Sequence, residues 1–130
     1  MKKTLFILSF ACCLMAVQAQ NANLKKSVED GIKTSIQQTE NREWKEAFAT
    51  CRTLDSMIAL EEQKSKKATP ELHYLVSKER LRMYMRLNNA EQSKLQVEKL
   101  EDFAERAKQD EVSEDLLMTK AGYYQKFGMN

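Results

Sequence analysis

The stretch from Thr69 to Asn89, TPELHYLVSKERLRMYMRLNN, constrains the fold of this chain more than any other. Thr69 is a capping residue, and Pro70 suits a first helical position because the N–H it lacks would find no partner there. Asn88 and Asn89 close the stretch, since asparagine tolerates a left-handed turn. Between these ends Leu72, Tyr74, Leu75, Val76, Leu81, Met83, Tyr84, Met85 and Leu87 spread over more than one face of a helix. A helix that is apolar on several sides is usually sandwiched between neighbours. The rest of the chain is therefore read for the helices that would cover it.

Three glycines and one proline in 130 residues, with long polar–apolar periodic runs, predict an all-α protein rather than a sheet. The length allows one domain. At the start, Lys2-Lys3 and the uncharged run from Leu5 to Val17 have the layout of a signal peptide. An uncleaved anchor is one rival, but a bilayer takes about 20 residues and this run is shorter. A lipoprotein signal at Cys12 or Cys13 is another, and neither cysteine follows a leucine-small-small approach. Val17-Gln18-Ala19 offers small residues for cleavage after Ala19, so 20–130 is the expected domain and the periplasm its expected location. Removal takes two lysines and no acid, which lowers the formal charge from +2 to 0. A neutral chain lacks the concentrated basic footprint that nucleic acid requires. Cys12 and Cys13 leave with the signal, so Cys51 stands alone and no internal disulfide is expected.

A first helix is expected over Asn23 to Thr39, with Leu24, Val28, Ile32 and Ile36 as a narrow apolar stripe and a turn at Asn41. Gly31 sits inside it at a cost of about 1 kcal/mol relative to alanine. In the next helix Trp44, Ala47, Phe48, Cys51, Leu54 and Ile58 fall at steps of three and four, a wide stripe facing a core. Trp44 reads as core; Cys51, with no nearby histidine or lysine to lower its pKa, reads as an inert small hydrophobe. Glu61 to Lys67, EEQKSKK, reads as a solvated linker. Beyond the central helix, Asn89-Ala90-Glu91-Gln92 resembles a capping box. Val97, Leu100, Ala104 and Ala107, with Phe103 beside them, form the buried line of a fourth helix. For a fifth, Ser113 is the expected cap, Val112 would staple onto Leu117, and Leu117, Ala121 and Tyr124 line the buried face up to a left-handed Gly128.

Catalysis needs a nucleophile, an acid–base pair or a metal within mutual reach. His73 is the only histidine and Cys51 the only cysteine after the signal, and no spacing pairs them. So few soft ligands argue against a metal site, and there is no glycine-rich phosphate loop. Carboxylate pairs such as Glu61-Glu62 and Glu101-Asp102 read as solubility and helix pairing. No catalytic residue, metal or cofactor is expected.

Internal repetition carries more information. Leu81-x2-Tyr84-x3-Asn88 matches Ala121-x2-Tyr124-x3-Gly128 position for position, and turns fall at Asn41-Arg42, Asn88-Asn89 and Gly128. Trp44-x2-Ala47-x3-Cys51-x2-Leu54 has the spacing of the second helix of a tetratricopeptide repeat, and Pro70 stands where that repeat places its proline. Small residues at Ala47 and Ala121 suit the points where paired helices cross. From about Asn21 to Asn130 the chain resembles a tetratricopeptide-like array. Arg80 replaces a usual leucine, Ser93 a usual alanine, and the turns lie about 46 and 40 residues apart instead of 34.

That resemblance implies antiparallel hairpins stacked as a right-handed solenoid whose first helices line a concave groove. Alignment on Leu81 and Tyr84 puts Lys78, Arg82 and Arg86 on the groove side. There they would meet an acidic peptide or a terminal carboxylate; the plainer alternative is a solvated basic ridge paired with Glu79. TENREWKEAFATCRTLDSMI, HYLVSKERLRMYMRLNN and DLLMTKAGYYQKFGMN are similar to the exported N-terminal repeat regions of bacterial histidine-kinase-type sensors. The implied function is a non-catalytic module that binds a peptide or protein, as the input region of a larger sensor. A free-standing secreted scaffold is the alternative. No membrane contact by this chain is expected. An unfinished last hairpin, with Tyr123, Tyr124 and Phe127 short of cover, would make the final helix a site of self-association.

Overall fold

The computed structural model describes residues 23–128. The expected signal peptide with its cleavage point, Cys12 and Cys13 lie outside the described residues. Within them the protein is all-α, with no strand: α1 (23–40), α2 (Trp44–Ser65), α3 (Pro70–Arg86), α4 (Ala90–Ala107) and α5 (Asp110–Phe127).

The α1–α2 and α3–α4 turns share one geometry. Arg42 and Asn88 take left-handed φ values of 61° and 56°. The next N–H then reaches back across each turn, Glu43 to the Gln38 carbonyl at 2.8 Å and Asn89 to the Tyr84 carbonyl at 2.9 Å. Turns this short make the joined helices antiparallel neighbours. Asn89 also caps α4, its side-chain oxygen accepting from the Gln92 N–H at 3.1 Å.

The joint between α2 and α3 differs from the sequence expectation. The expected linker from Glu61 to Lys67 is mostly helix, because α2 runs on to Ser65. Glutamate, glutamine and lysine are good helix formers, and a helix already started needs no apolar stripe to continue. Glu62 therefore projects from α2, where its carboxylate accepts the Thr69 N–H at 2.6 Å and the Thr69 hydroxyl at 3.1 Å. Thr69 holds the N-cap position of α3, but its hydroxyl donates to Glu62 rather than capping the helix. The other Glu62 oxygen lies 2.8 Å from His73 Nε2. Far from being only a solubilising residue, Glu62 ties two helices together.

Two apolar clusters form the core, and α3 belongs to both. Leu24 and Val28 of α1, Ala47, Cys51, Leu54 and Ile58 of α2, and Leu72, Val76 and Met83 of α3 make the first. Tyr74 and Leu81 of α3, Val97, Leu100 and Ala104 of α4, and Tyr123 of α5 make the second. The sandwiched position expected for the central helix is thus observed. Trp44 and Phe48 are half-buried against the first cluster. Polar side chains go inside too, where the apolar stripes gave no warning of them. Ser35, Thr39, Ser77, Glu79, Ser93 and Gln96 are all buried. Ser93, at the position of the expected alanine, donates its hydroxyl to the Asn89 carbonyl at 2.7 Å. Arg80, at the position of the expected leucine, pairs with Asp55 of α2.

The fifth helix is rotated from expectation. Its buried side carries Tyr123, with Val112, Leu116 and Phe127 partly covered, whereas Leu117, Ala121 and Tyr124 face outward. Leu117 is 69% exposed, so Val112 and Leu117 do not staple, and Ala121 is not a crossing point. Nor does Tyr123 lack cover, at 3% exposure. The sequence offers two apolar stripes roughly 100° apart around this helix, and polar partners favour one of them. The Tyr74 hydroxyl donates to Asp115 at 2.6 Å, which fixes one flank of α5 on α3. Lys120, 3.8 Å from Glu101, fixes the other on α4. Helix α5 also starts before the expected cap: Gln109 is its N-cap, without a side-chain bond, and Ser113 lies in the helix. Gly128 ends it at φ 64°, as expected.

Candidate functional site

A hollow with a mainly apolar lining lies over α3 between α1 and α5, and has a volume of about 440 Å³. Ile32 and Ile36 come from α1, Leu75, Leu81 and Met85 from α3, and Met118 and Gly122 from α5. Ile32 and Ile36 belong to the narrow apolar stripe of α1. Both are half-buried and give this hollow one wall. The opposite wall is open: a Cβ added to Gly122 would meet nothing within 4 Å.

The structure places the three candidate cations apart. Lys78 and Arg82 border the groove; Arg86 does not. The Arg86 guanidinium lies 5.6 Å from the centre of the Trp44 ring, an exposed cation–π contact at the α1–α2 turn. Nor are the two groove cations free. Arg82 grips Glu79 with two hydrogen bonds, Nε to Oε1 at 2.6 Å and Nη2 to Oε2 at 2.8 Å. Its Nη2 also donates to the Thr39 hydroxyl at 2.9 Å, so the same side chain fastens α1 to α3. The Glu79 side chain is only 2% exposed, which makes this pair a matter of fold stability. The hydrogen bonds from Glu79 hold the Arg82 pKa above its ordinary value, against the effect of burial.

Lys78 meets Asp115 at 2.7 Å, in a pair more open to water. Burial alone would raise the Asp115 pKa, but hydrogen bonds from Lys78 and Tyr74 outweigh it and hold the carboxyl below its usual range. Tyr74 moves the other way, its phenol kept neutral by burial and by the neighbouring carboxylate. Lys78 and Asp115 thus form the bridge from α3 to α5. The basic ridge expected from the spacing of Lys78, Arg82 and Arg86 has become two latches and an aromatic contact.

A second hollow, of about 470 Å³, lies between α2, α3 and α4 and is walled by Asp55, Arg80, Asp102 and Arg106. Arg80 pairs with Asp55, and Arg106 pairs with Asp102 at 3.1 Å. These four charges pair within the protein, and Glu98 and Lys99 add one charge of each sign to the lining. His73 stacks on Phe103 with ring centres 5.2 Å apart, beside this hollow. Cys51 is fully buried, and desolvation pushes its thiol up to about 11, out of the nucleophilic range. No group of three or more His, Cys, Asp or Glu among the described residues is arranged to hold a metal ion. No described helix is long and apolar enough to cross a membrane.

Sequence reasoning weighed Glu79 as a partner of the cations on α3, and Arg82 does pair with it, but Asp115 was missed. The i,i+3 spacing of Glu79 and Arg82 was a usable signal. Asp115 had none, because its partners on α3 are 37 and 41 residues away. In comparisons with known proteins, no family model, curated protein or solved structure matches the chain.

Proposed function

We propose that this chain is a non-catalytic, exported helical-repeat module that holds a segment of a peptide or protein in the α1–α3–α5 groove. The carrying observation is the groove itself: an apolar floor built from alternate helices, whose bordering cations are engaged by acids of the protein. Apolar, concave and largely pre-formed surfaces are where segments dock with least loss of order. The repeated turn geometry at Arg42 and Asn88 supports tetratricopeptide-like stacking of the hairpins. In the fuller reading, the module is the periplasmic input region of a larger membrane sensor of the histidine-kinase type.

A free-standing secreted scaffold is the second reading. The outer face of α5 favours it, since Leu117, Met118 and Tyr124 are 69%, 76% and 40% exposed and would suit a further protein contact. Reading the gene past Asn130 separates the two. An apolar span of about 20 residues supports the sensor, and an immediate stop supports the scaffold.

The groove is tested by panning a phage library of random dodecapeptides against the protein. Enriched clones should lose binding to the Gly122→Leu variant, which adds an apolar side chain at the groove's edge, where a Cβ has open space. No enrichment, or enrichment indifferent to Gly122→Leu, would overturn the reading.

A further inference from the structure

We infer that the segment held in the groove is apolar and basic, an inference that rests on the groove reading above. At its α3 N-terminal end the groove runs into a cleft of about 310 Å³, with Leu75 and Lys78 bordering both. Four carboxylates from three helices face this cleft: Glu29 of α1, Glu71 of α3, and Glu111 and Asp115 of α5. Only Lys25 and Lys78 stand among them, and Lys78 is committed to Asp115. Glu29, Glu71 and Glu111 make no ion pair with any described residue. The sign of the uncompensated charge beside the groove is therefore negative. This reverses the acidic ligand expected from Lys78, Arg82 and Arg86.

The dimensions suit a short segment. From Glu71 to Met85 is 14 residues of helix, or about 21 Å. An extended chain covers that distance with six or seven residues. Apolar side chains would fill the part lined by Ile36, Leu81 and Met118, and a lysine or arginine at one end would reach the carboxylates. Because these carboxylates are solvated, the charge contributes selectivity and encounter rate more than tight binding, and salt weakens it.

The same phage selection tests this, followed by titration of synthetic peptides. Enriched sequences should combine apolar residues with lysine or arginine. Replacing that basic residue by glutamine should weaken binding about three- to tenfold at low salt, and less at high salt. The Glu71→Gln/Glu111→Gln variant should bind the two peptides alike. Enriched peptides that are acidic, or indifferent to charge, would sink this inference while leaving the groove standing. Binding that Gly122→Leu fails to disturb would remove the groove, and this inference with it.

Discussion

The two flanks of α3 are built from the same parts and finished differently. Each faces a helix that contains a glycine, and each is latched by a cation of α3: Arg82, held by Glu79 of the same helix, bonds to Thr39 of α1, and Lys78 pairs with Asp115 of α5. On the α1 side, a Cβ placed on Gly31 would lie 2.5 Å from Leu54 Cδ2, so the glycine is there because α2 comes that close. In the latch on that side, Glu79 and Thr39 are buried and Arg82 reaches between them. On the α5 side Gly122 meets nothing, and both members of the Lys78–Asp115 latch are more than a third exposed. Helix α1 is pressed onto α2 at its glycine, while α5 has open space at its own. The difference teaches that a mid-helix glycine has no fixed meaning until its neighbour is known.

The largest contrast should come from the latches. Arg82→Ala strands a buried carboxylate and should cost about 3–5 kcal/mol, whereas Lys78→Ala should cost less than about 1 kcal/mol. Urea unfolding of both variants measures this, and equal losses would dissolve the distinction between the two flanks. Arg82→Ala is for the same reason a poor probe of binding.

The glycines come next, with opposite signs. Gly31→Ala gains helix propensity but presses on Leu54, which is 3% exposed and cannot swing into water. A net loss of about 1 kcal/mol is expected. Gly122→Ala should stabilise by about 0.5–1 kcal/mol. Thermal melts compare the pair, and a shared sign would break the argument.

The smallest effect separates the joints. Glu62 caps α3 from the end of α2, while the N-cap of α5 has no side-chain bond. Burial opposes ionisation of Glu62, yet hydrogen bonds from Thr69 and His73 outweigh it and hold its pKa below the usual value. A carboxyl with a depressed folded pKa contributes stability that is full above its unfolded pKa, about 4.3, and is lost as pH falls through the lower folded value. Asp115 acts with the same sign. Glu62→Gln should therefore cost about 0.5–1 kcal/mol near neutral pH and flatten the acid limb of the stability curve. An unchanged acid limb would show that Glu62 does not contribute.

Much of the fold was legible because helix periodicity is local. The stripe through Ala47, Cys51, Leu54 and Ile58 could be read directly, as could the turn at Asn88 and the cap at Asn89. The groove was half legible: spacing put Lys78 and Arg82 on one side of α3, but it could not count the acids that come to meet them. In α5 the helix and its Gly128 end were read correctly, but its buried face was not. Leu117, Ala121 and Tyr124 form as good a stripe as Leu116, Tyr123 and Phe127, and periodicity cannot choose between two faces.

The sequence by itself determined the helices, most of their ends and the central place of the stretch from Thr69 to Asn89, because propensity, capping and amphipathic period act within a few turns of chain. Only the tertiary structure decided which face of α5 is buried, why Gly31 must be glycine and what charge borders the groove. Those outcomes depend on pairs such as Leu54 with Gly31 and Asp115 with Tyr74, 23 and 41 residues apart. Contacts at that separation leave no period to read.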